Sequence, residues 1–277
     1  MIIKKEIQAF NETYRILLRE NDFIYILPHL GLRCQISNYT VTFPNKNIIT
    51  DNYTVIPHGS ATLVFFYDKS GLRSNLFGPI TKPCIVGGDA NQCDMLFIIE
   101  FQPAGLYAFT GINQKELVNQ TIPFEIINPA LNRLILEVIE STNSLNELIA
   151  KLDRLLLGNL HINYPSALQI ATGMMIENTG NLSYQELLAS VYYSERHLNR
   201  IFDQYLGMNI KTFSRMVRVN KAIRLMQNSQ CSITCAGYET GFYDLSHFIR
   251  DFKDICGMTP QEYRNNMSDF YSEIAKF

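Results

Sequence analysis

A fifteen-residue stretch occurs twice in the chain, at 194–208 and again fifty positions later at 244–258. The first copy reads SERHLNRIFDQYLGM and the second reads DLSHFIRDFKDICGM. Aligned without gaps, the copies share a histidine, an arginine, a phenylalanine and a final Gly-Met pair. A repeat of this kind indicates one supersecondary unit used twice.

Each copy carries the start and stop signals of a helix. Ser194 and Asp244 can accept hydrogen bonds from the amides of a first turn, and Gly207 and Gly257 can end the helices. Apolar residues recur between these ends at helical spacing. Each copy is therefore predicted to be an amphipathic helix with one buried stripe and one polar stripe.

A shorter helix is predicted just before each copy. Ser183 and Glu186 have the spacing of a capping box, and Ser232 precedes the second short helix. The result is helix, tight turn, helix, an arrangement in which the second helix can lie in the major groove of DNA. The alternative is a pair of ordinary helical hairpins with solvated outer faces. An arginine at the same outward position in both copies, Arg200 and Arg250, favours DNA reading.

From about residue 170 to 264 the chain resembles the double helix-turn-helix domain of the AraC/XylS transcriptional regulators. The matching residues include Leu182, Ser194, Leu198, Phe202, Arg218, Ala222, Gly241, Phe242, Asp244, Phe248, Phe252, Gly257, Pro260 and Tyr263. The resemblance implies seven helices with two recognition helices in successive segments of the major groove. The residues then expected to contact DNA are Arg196, His197, Asn199, Arg200, Arg218, Lys221, Leu245, Ser246, His247, Ile249, Arg250 and Lys253.

Three positions depart from that family's pattern. Leu188 and Gly237 stand where alanine is usual, and Tyr192 stands where the first turn often has glycine. A glycine inside a helix costs about 1 kcal/mol relative to alanine. Gly237 therefore predicts a less rigid second unit.

Basic residues concentrate in the first unit. Residues 194–224 contain seven basic and two acidic side chains, a local charge of +5, whereas residues 225–264 contain three basic and five acidic ones, a charge of −2. Phosphate contacts supply most of the sequence-independent affinity for DNA. We expect the first unit to dominate binding.

Composition indicates an ordinary globular protein with room for two cores, since the 277 residues are 47% hydrophobic and 18% charged. The first ten residues lack a signal-peptide pattern, and the apolar runs are too short to cross a membrane. We expect a cytoplasmic protein without a membrane partner. The six cysteines show no zinc-ligand spacing, so no metal and no cofactor are predicted. Cys231 and Cys235 could form a redox or metal pair, but core packing accounts for them as well.

The first 127 residues read mostly as strands. Short runs rich in Val, Ile, Phe, Tyr and Thr at 23–27, 34–43, 61–67, 85–88 and 95–101 alternate with turn residues. The segments IPHG at 56–59 and FQPAGLY at 101–107 resemble the N-terminal domain found ahead of this helix-turn-helix type in Bacteroidetes-like regulators. That resemblance implies a small cupin-like β-barrel.

A ligand pocket is a second expectation for this region. Five aromatic side chains have the alternation needed to line a barrel interior, namely Phe43, Phe65, Tyr67, Phe97 and Phe101. The alternative is that they are packed core. His58 is interpreted as a loop residue, because metal sites need partners and no second histidine lies near it in sequence.

Two helices are predicted after the strands, at 129–140 and 144–157, and Ser144 with Glu147 has the spacing of a capping box at the second. Its leucine stripe could pack within the chain or against the same helix of a second copy. The predicted fold is α+β: a β sensing domain at 1–128, an antiparallel barrel or sandwich, then a helical linker at 129–164 and an all-α double helix-turn-helix domain at 165–277.

The favoured function is a sequence-specific transcription regulator that binds double-stranded DNA and is controlled by a small effector, with a homodimer as a possible state and RNA polymerase as a partner if it activates. One alternative is a barrel that binds nothing and serves only as a dimerisation platform. A DNA-repair methyltransferase-like fusion is a further alternative, but Cys84 is followed by Ile85 and Val86 rather than by histidine. No catalytic constellation is evident, so the chain is predicted not to be an enzyme.

Overall fold

The computed structural model describes residues 1–46, 49–161, 164–227 and 230–265. An antiparallel sheet domain occupies the first part of the chain, and helices follow it, which confirms the predicted α+β class. None of the described helices is long and apolar enough to cross a lipid bilayer.

The main sheet has seven strands in the order β1-β2-β3-β8-β5-β6-β9, and β4 pairs with β7 in a small second sheet. Every pairing is antiparallel, and β8 lies in the middle between β3 and β5. The strands are β1 Ile16–Arg19, β2 Phe23–Ile26, β3 Ile36–Thr42, β4 Thr54–Val55, β5 Thr62–Asp68, β6 Gly71–Phe77, β7 Cys84–Ile85, β8 Met95–Phe101 and β9 Thr121–Pro123.

The two faces of the main sheet are both apolar but have different neighbours. Because side chains alternate along a strand, Phe65 and Phe97 belong to one face while Phe66 and Leu96 belong to the other. The first set joins the large core with the helices. The second set forms a smaller cluster with Tyr25 and side chains near β4 and β7.

Short helices α1 Glu6–Ala9, α2 Gly87–Ala90, α3 Tyr107–Thr110 and α4 Phe124–Ile127 interrupt the strands. Two longer helices follow, α5 Pro129–Ser141 and α6 Leu145–Gly158, close to the predicted bounds. Leu148 and Leu152 of α6 are completely buried within the chain. The leucine stripe is therefore not available to a partner helix. The predicted capping box of α6 is wrong, because Ser144 makes no side-chain cap and Glu147 pairs with Lys151 instead.

A buried polar network fixes α6 against the strands. Asp153 accepts hydrogen bonds from Arg15 Nη2 at 2.7 Å, from Tyr39 Oη at 3.0 Å and from the His29 amide at 3.0 Å. Burial raises the pKa of Tyr39 well above its ordinary value, and Asp153 adds to that rise. The network holds the helix at one rotation and one depth.

Seven helices form the remainder of the described chain: α7 Ser166–Glu177, α8 Tyr184–Val191, α9 Glu195–Leu206, α10 Ile210–Gln227, α11 Ile233–Glu239, α12 Leu245–Cys256 and α13 Pro260–Asn265. Helices α8 and α9 form the first predicted unit and α11 and α12 the second. The long helix α10 connects them. This agrees with the seven helices that the sequence resemblance implies.

Candidate nucleic-acid interface and adjoining cavity

The caps of the two longer unit helices are confirmed. The Ser194 hydroxyl and the Asp244 carboxylate accept hydrogen bonds from the His197 and His247 amides, at 3.3 and 2.7 Å. Gly207 and Gly257 end the helices in left-handed conformation, with φ of 71° and 75°. These signals hold α9 and α12 to the same length and expose the same face of each.

The capping box before the first unit is also present. The Ser183 hydroxyl accepts from the Glu186 amide at 3.2 Å, and the Glu186 carboxylate accepts from the Ser183 amide at 3.1 Å. These hydrogen bonds keep the pKa of Glu186 below its usual value. In the second unit Ser232 accepts from the Cys235 amide at 3.0 Å.

An open groove of about 1240 Å³ runs along the first recognition helix. It brings together four side chains predicted to contact DNA: Arg196, His197, Asn199 and Arg200. Lys211 and Thr212 of α10 line it as well, and Thr81 of the sheet domain lies at its edge. Arg196 and Arg200 are exposed and able to reach a base edge or a phosphate.

The Asn199 side chain is engaged within the protein. Its Oδ1 accepts a hydrogen bond from the Ile210 amide at 3.1 Å, which caps the start of α10, and its Nδ2 donates to the Glu195 carbonyl at 3.2 Å. The spacing of polar residues on α9 could not predict this hydrogen bond, because the Ile210 amide belongs to the next helix. The structure therefore favours a positioning role for Asn199 over bidentate adenine reading.

The two histidines occupy corresponding places beside the turns. The His197 ring lies 4.5 Å from the Tyr193 ring, and the His247 ring lies 5.3 Å from the Phe242 ring. Both are half-buried. Each histidine thus packs its helix against the preceding turn. Less of its side chain is exposed to DNA than is the case for the outward arginines.

The second recognition helix presents a mixed surface. Ser246, Ile249, Arg250 and Lys253 are exposed, whereas Leu245 is half-buried and packs on the core of the second unit. Gly237 explains the close packing here, because a Cβ at that position would lie 3.0 Å from the Phe248 ring. The glycine permits the two helices to approach and is not simply a loosening of α11.

The basic residues of α10 are not all free to bind phosphate. Arg215 binds Asp251 and Asp254 of α12. Arg218 lies over the Phe242 ring at 5.1 Å, and its half-buried side chain loses hydration, which lowers the pKa of the guanidinium. Lys211 is exposed and Lys221 is half-buried. The charge count of the first unit therefore overstates the cations available to DNA.

A second cavity, of about 370 Å³, lies in the sheet domain. Its wall includes Val64, Phe66, Leu96 and Ile98 from the face of the main sheet that looks toward β4, β7 and α2. The predicted pocket residues are elsewhere. Phe65, Phe97 and Phe101 are buried in the large core on the opposite face, and Phe43 and Tyr67 pack against that core. Their alternation correctly placed them on one face, but helices cover that face.

Three polar residues lie near this cavity, and of these only His58 was interpreted from the sequence. Glu100 lies on the wall and is 2% exposed, and His58 is 3% exposed with Nδ1 at 2.9 Å from Ser60 Oγ. His58 lies in the loop between β4 and β5, as interpreted from the sequence, but it is buried there. Asn220 of α10 is also buried, and it donates a hydrogen bond from Nδ2 to the Pro57 carbonyl at 2.9 Å. These residues are far apart in sequence and come together only in the folded protein.

Two capped helix pairs joined by one long helix define a class of DNA-binding proteins, those with a double helix-turn-helix. A family model described as a helix-turn-helix domain matches residues 187–266, and a model described as a domain of unknown function, DUF6597, matches residues 25–123. Residues 187–266 of this chain are a helix-turn-helix domain of the AraC/XylS type.

Known relatives of this region are named as transcriptional regulators. The chain is 35% identical over 104 residues to GlxA of Rhizobium meliloti, 40% identical over 72 residues to RhaR of Escherichia coli, and 27% identical over 141 residues to ArgR of Pseudomonas aeruginosa. The matches cover 37%, 26% and 51% of this chain, and 32%, 26% and 41% of those proteins. The chain thus spans less than half the length of these relatives.

Among solved structures, ToxT from Vibrio cholerae aligns over 82% of this chain and 97% of its own, with a TM-score of 0.46 and 10% identity. The xylose-binding transcription activator xylR aligns over 45% of this chain and 39% of its own, with a TM-score of 0.35 and 21% identity.

Among the described residues, no group of three or more histidine, cysteine, aspartate or glutamate side chains is placed to hold a metal ion. Cys84 is half-buried, and its thiol points to the neighbouring Ile85 carbonyl.

Proposed function

We propose that this chain is a sequence-specific DNA-binding transcription regulator and that a small molecule bound in its sheet domain controls it. The exposed arginines of α9 and α12, Arg196, Arg200 and Arg250, support the first part. They project from two helices with the same length and the same kind of N-terminal cap. Arginine is the side chain that most often contacts guanine in the major groove. Lys211 and Lys253 are exposed nearby and suited to phosphates.

The single observation that carries the second part is the course of residues 56–60. His58 and Ser60 line the cavity of the sheet domain. The carbonyl of the preceding residue, Pro57, accepts a hydrogen bond from Asn220 of α10. Ile56 is 2% exposed and belongs to the core of the second helix-turn-helix unit. One short segment therefore contacts both the cavity and the helix that sets the two recognition helices relative to each other.

Gly59 makes this contact close. It has φ of 74°, a left-handed conformation that favours glycine, and a Cβ there would lie 3.2 Å from Met216 Sδ and 3.3 Å from the Phe213 ring. Because the backbone rests directly on α10, a displacement of residues 58–60 by a ligand must move α10 or break the Asn220 bond. A ligand that favours one of these arrangements changes DNA affinity by its differential binding energy.

The sheet domain also touches the first unit. Lys115 binds Asp203 of α9 at 2.5 Å, and the end of α9 at Gly207 rests against Val118 and Gln114. We propose the divisions 1–128, 129–164 and 165–277 as functional units in contact, with a homodimer and RNA polymerase as partners to be tested.

DNA selection from random duplexes tests the proposed function. The full chain should enrich one motif and bind it about 10³-fold or more tightly than a scrambled duplex at the same salt concentration. Arg200→Ala should relax the preference at one base position, while Arg133→Ala, on an exposed face of α5, should leave it unchanged. Equal affinity for all duplexes would contradict sequence-specific regulation.

The control by a ligand has its own test. A compound that raises the melting temperature of the chain should also change its operator affinity, and Asn220→Ala should weaken that link more than Asn178→Ala, which alters an exposed helix end. A regulator whose sheet domain serves only for dimerisation would show no compound with both effects.

A further inference from the structure

Two loops of the sheet domain, 78–84 and 113–120, lie against the ends of both recognition helices. A Cβ at Gly207, where α9 ends, would overlap loop 113–120. A Cβ at Gly257, where α12 ends, would lie 3.1 Å from Pro83 of loop 78–84. The sheet domain therefore reaches the two helices that the proposed function places in the major groove.

Hydrogen bonds tie the two loops to each other. Asn119 Oδ1 accepts a hydrogen bond from the Thr81 amide at 2.8 Å, and the Asn119 amide donates to the Pro79 carbonyl at 3.0 Å. Backbone groups that are paired in this way restrain a loop to one conformation. Loops 78–84 and 113–120 therefore present a single surface to the helices.

The same loops adjoin the face of α9 that carries the outward arginines. Asp203 follows Arg196 and Arg200 on the polar stripe of α9, and its Oδ2 lies 2.5 Å from Lys115 Nζ. Thr81 and Asp203 both line the open groove along α9. The sheet domain thus forms one edge of the surface that is predicted to contact DNA.

The charges in this groove indicate what Lys115 contributes there. Asp203 is the only acidic side chain among the described residues that line the groove. A carboxylate in that place repels a phosphate, and the ammonium of Lys115 cancels most of this repulsion. The lining side chains that can carry positive charge are Arg196, His197, Arg200 and Lys211.

A second lysine of these loops lies beside the groove. Lys82 follows Thr81 in the chain, is exposed, and has no carboxylate partner among the residues that the structure describes. Glu116 is the one acidic residue in the two loop sequences, and its carboxylate accepts a hydrogen bond from Asn113 Nδ2 at 3.3 Å. A lysine ammonium on a long, flexible stem is suited to phosphate contact.

We propose that loops 78–84 and 113–120 are part of the DNA-binding surface: Lys115 neutralises Asp203 on the outward face of α9, and Lys82 contacts a DNA phosphate beside that face. The inference rests on the proposed function, since it requires α9 to enter the major groove. It gives the sheet domain a contact with the phosphate backbone, which adds affinity without adding base preference.

Binding isotherms over a salt series test the Lys82 contact, with the duplex that the full chain enriches and a scrambled duplex as probes. Lys82→Gln should weaken binding to both duplexes by the same factor and reduce the slope of log affinity against log salt by about 1. Lys69→Gln removes an equal charge at the other end of β6, about 20 Å along the strand, and should change neither quantity. A Lys82→Gln chain that behaves like Lys69→Gln would overturn the contact.

A double-mutant cycle tests the pair of Lys115 with Asp203. Lys115→Gln leaves the carboxylate uncompensated and should weaken binding to the enriched duplex at least about threefold, and the addition of Asp203→Asn should restore it to within about twofold. Lys151→Gln breaks an exposed ion pair with Glu147 on α6 and is the control. Tighter binding by Lys115→Gln would show that the pair holds α9 away from DNA. Unchanged binding would show that the pair has no part in it, and either result overturns the proposal.

This proposal and the proposed function fail separately. If the unmodified chain enriches one motif but Lys82→Gln and Lys115→Gln match their controls, sequence-specific binding stands and the contact by the sheet domain falls. If the unmodified chain binds all duplexes equally, the proposed function falls, and the salt slopes still decide whether Lys82 contacts phosphate.

Discussion

The guanidinium of Arg215 holds the carboxylate of Asp251 through two hydrogen bonds, from Nε to Oδ2 at 3.1 Å and from Nη2 to Oδ1 at 3.0 Å. Arg215 lies on α10 and Asp251 on α12, so the pair joins the connecting helix to the second recognition helix. Asp254 accepts a further bond from Nη2 at 2.9 Å. A bidentate pair restrains direction as well as distance. It therefore fixes how α12 is presented relative to α9.

Arg215→Ala should destabilise the chain by about 1–3 kcal/mol, because Asp251, whose side chain is 7% exposed, would keep its burial and lose both hydrogen bonds from Arg215. Denaturant unfolding measures the change. Arg133→Ala removes an exposed ion pair with Glu137 at 3.8 Å and should change stability by less than about 0.5 kcal/mol. Equal values for the two variants would mean that the bridge between α10 and α12 contributes nothing.

Operator binding should depend more on the first unit than on the second. Arg200→Ala should cost about 1–3 kcal/mol at one base position, and Arg250→Ala less, because acidic residues surround the second unit. Lys211→Ala should flatten the dependence of affinity on salt more than Lys253→Ala does. Binding isotherms over a salt series decide between the units. Equal losses from both arginines would show equal engagement, and a larger loss from Arg250 would reverse the order.

The Asp153 network should be among the most sensitive sites of the sheet domain. Asp153→Ala removes the buried carboxylate partner of Arg15, which keeps only its pair with Glu12, and it removes the acceptor of Tyr39, so we expect a loss of about 3 kcal/mol. Asp153→Asn keeps an acceptor and should lose less. Asp94→Ala, at an exposed position, is the control. Thermal and chemical unfolding measure the stability of each variant. If Asp153→Ala were as stable as Asp94→Ala, α6 would be held by its leucines alone.

Replacement of Tyr192 by glycine should stabilise the chain. Tyr192 has φ of 56° and is 92% exposed, so it bears the steric cost of a left-handed residue while burying little surface. We expect a gain of about 0.5–1 kcal/mol in the free energy of unfolding. Tyr243→Gly offers a matched comparison, since Tyr243 is 90% exposed without positive φ and should lose stability. A loss of stability in both variants would indicate that the Tyr192 ring has contacts that outweigh its backbone strain.

Acid should weaken two capping boxes of the helical region, Ser183 with Glu186 before α8 and Thr259 with Glu262 before α13. The Ser183 hydroxyl and amide lower the pKa of Glu186, and the Thr259 amide and hydroxyl lower that of Glu262. A carboxyl with a lowered folded-state pKa stabilises above its unfolded value of 4.5 and loses that contribution as pH falls through the folded value. Glu186→Gln should reduce the dependence of the free energy of unfolding on pH at and below about pH 4.5. An unchanged pH profile for Glu186→Gln and Glu262→Gln would show that neither carboxyl is linked to folding.

Local sequence signals predicted the helical region well. The caps at Ser183, Ser194, Ser232 and Asp244 act within three or four residues of themselves, so their hydrogen bonds can be read from spacing alone. The two recognition helices and the connecting helix followed from these caps and from the repeated apolar stripe.

The cavity could not be predicted in the same way. Alternation places Phe65 and Phe97 on one face and Phe66 and Ile98 on the other, but both faces are apolar, so the pattern does not say which one helices cover. The bond from Asn220 to Pro57 joins residues 163 positions apart. Asn199 is a similar case, since its role depends on where α10 begins. Contacts of this kind depend on the assembled fold.

The large core runs without a break from Ile2 through the sheet domain to Val217 on α10, while the second unit has a core of its own that includes Ile56. The position near 165 is thus a boundary in the sequence, but the hydrophobic core is continuous across it. A fragment cut there would leave behind the apolar partners of its first unit. A chimaera that exchanges one helix-turn-helix domain for another must therefore carry over both sides of the shared core, so the two halves of the chain cannot be replaced independently.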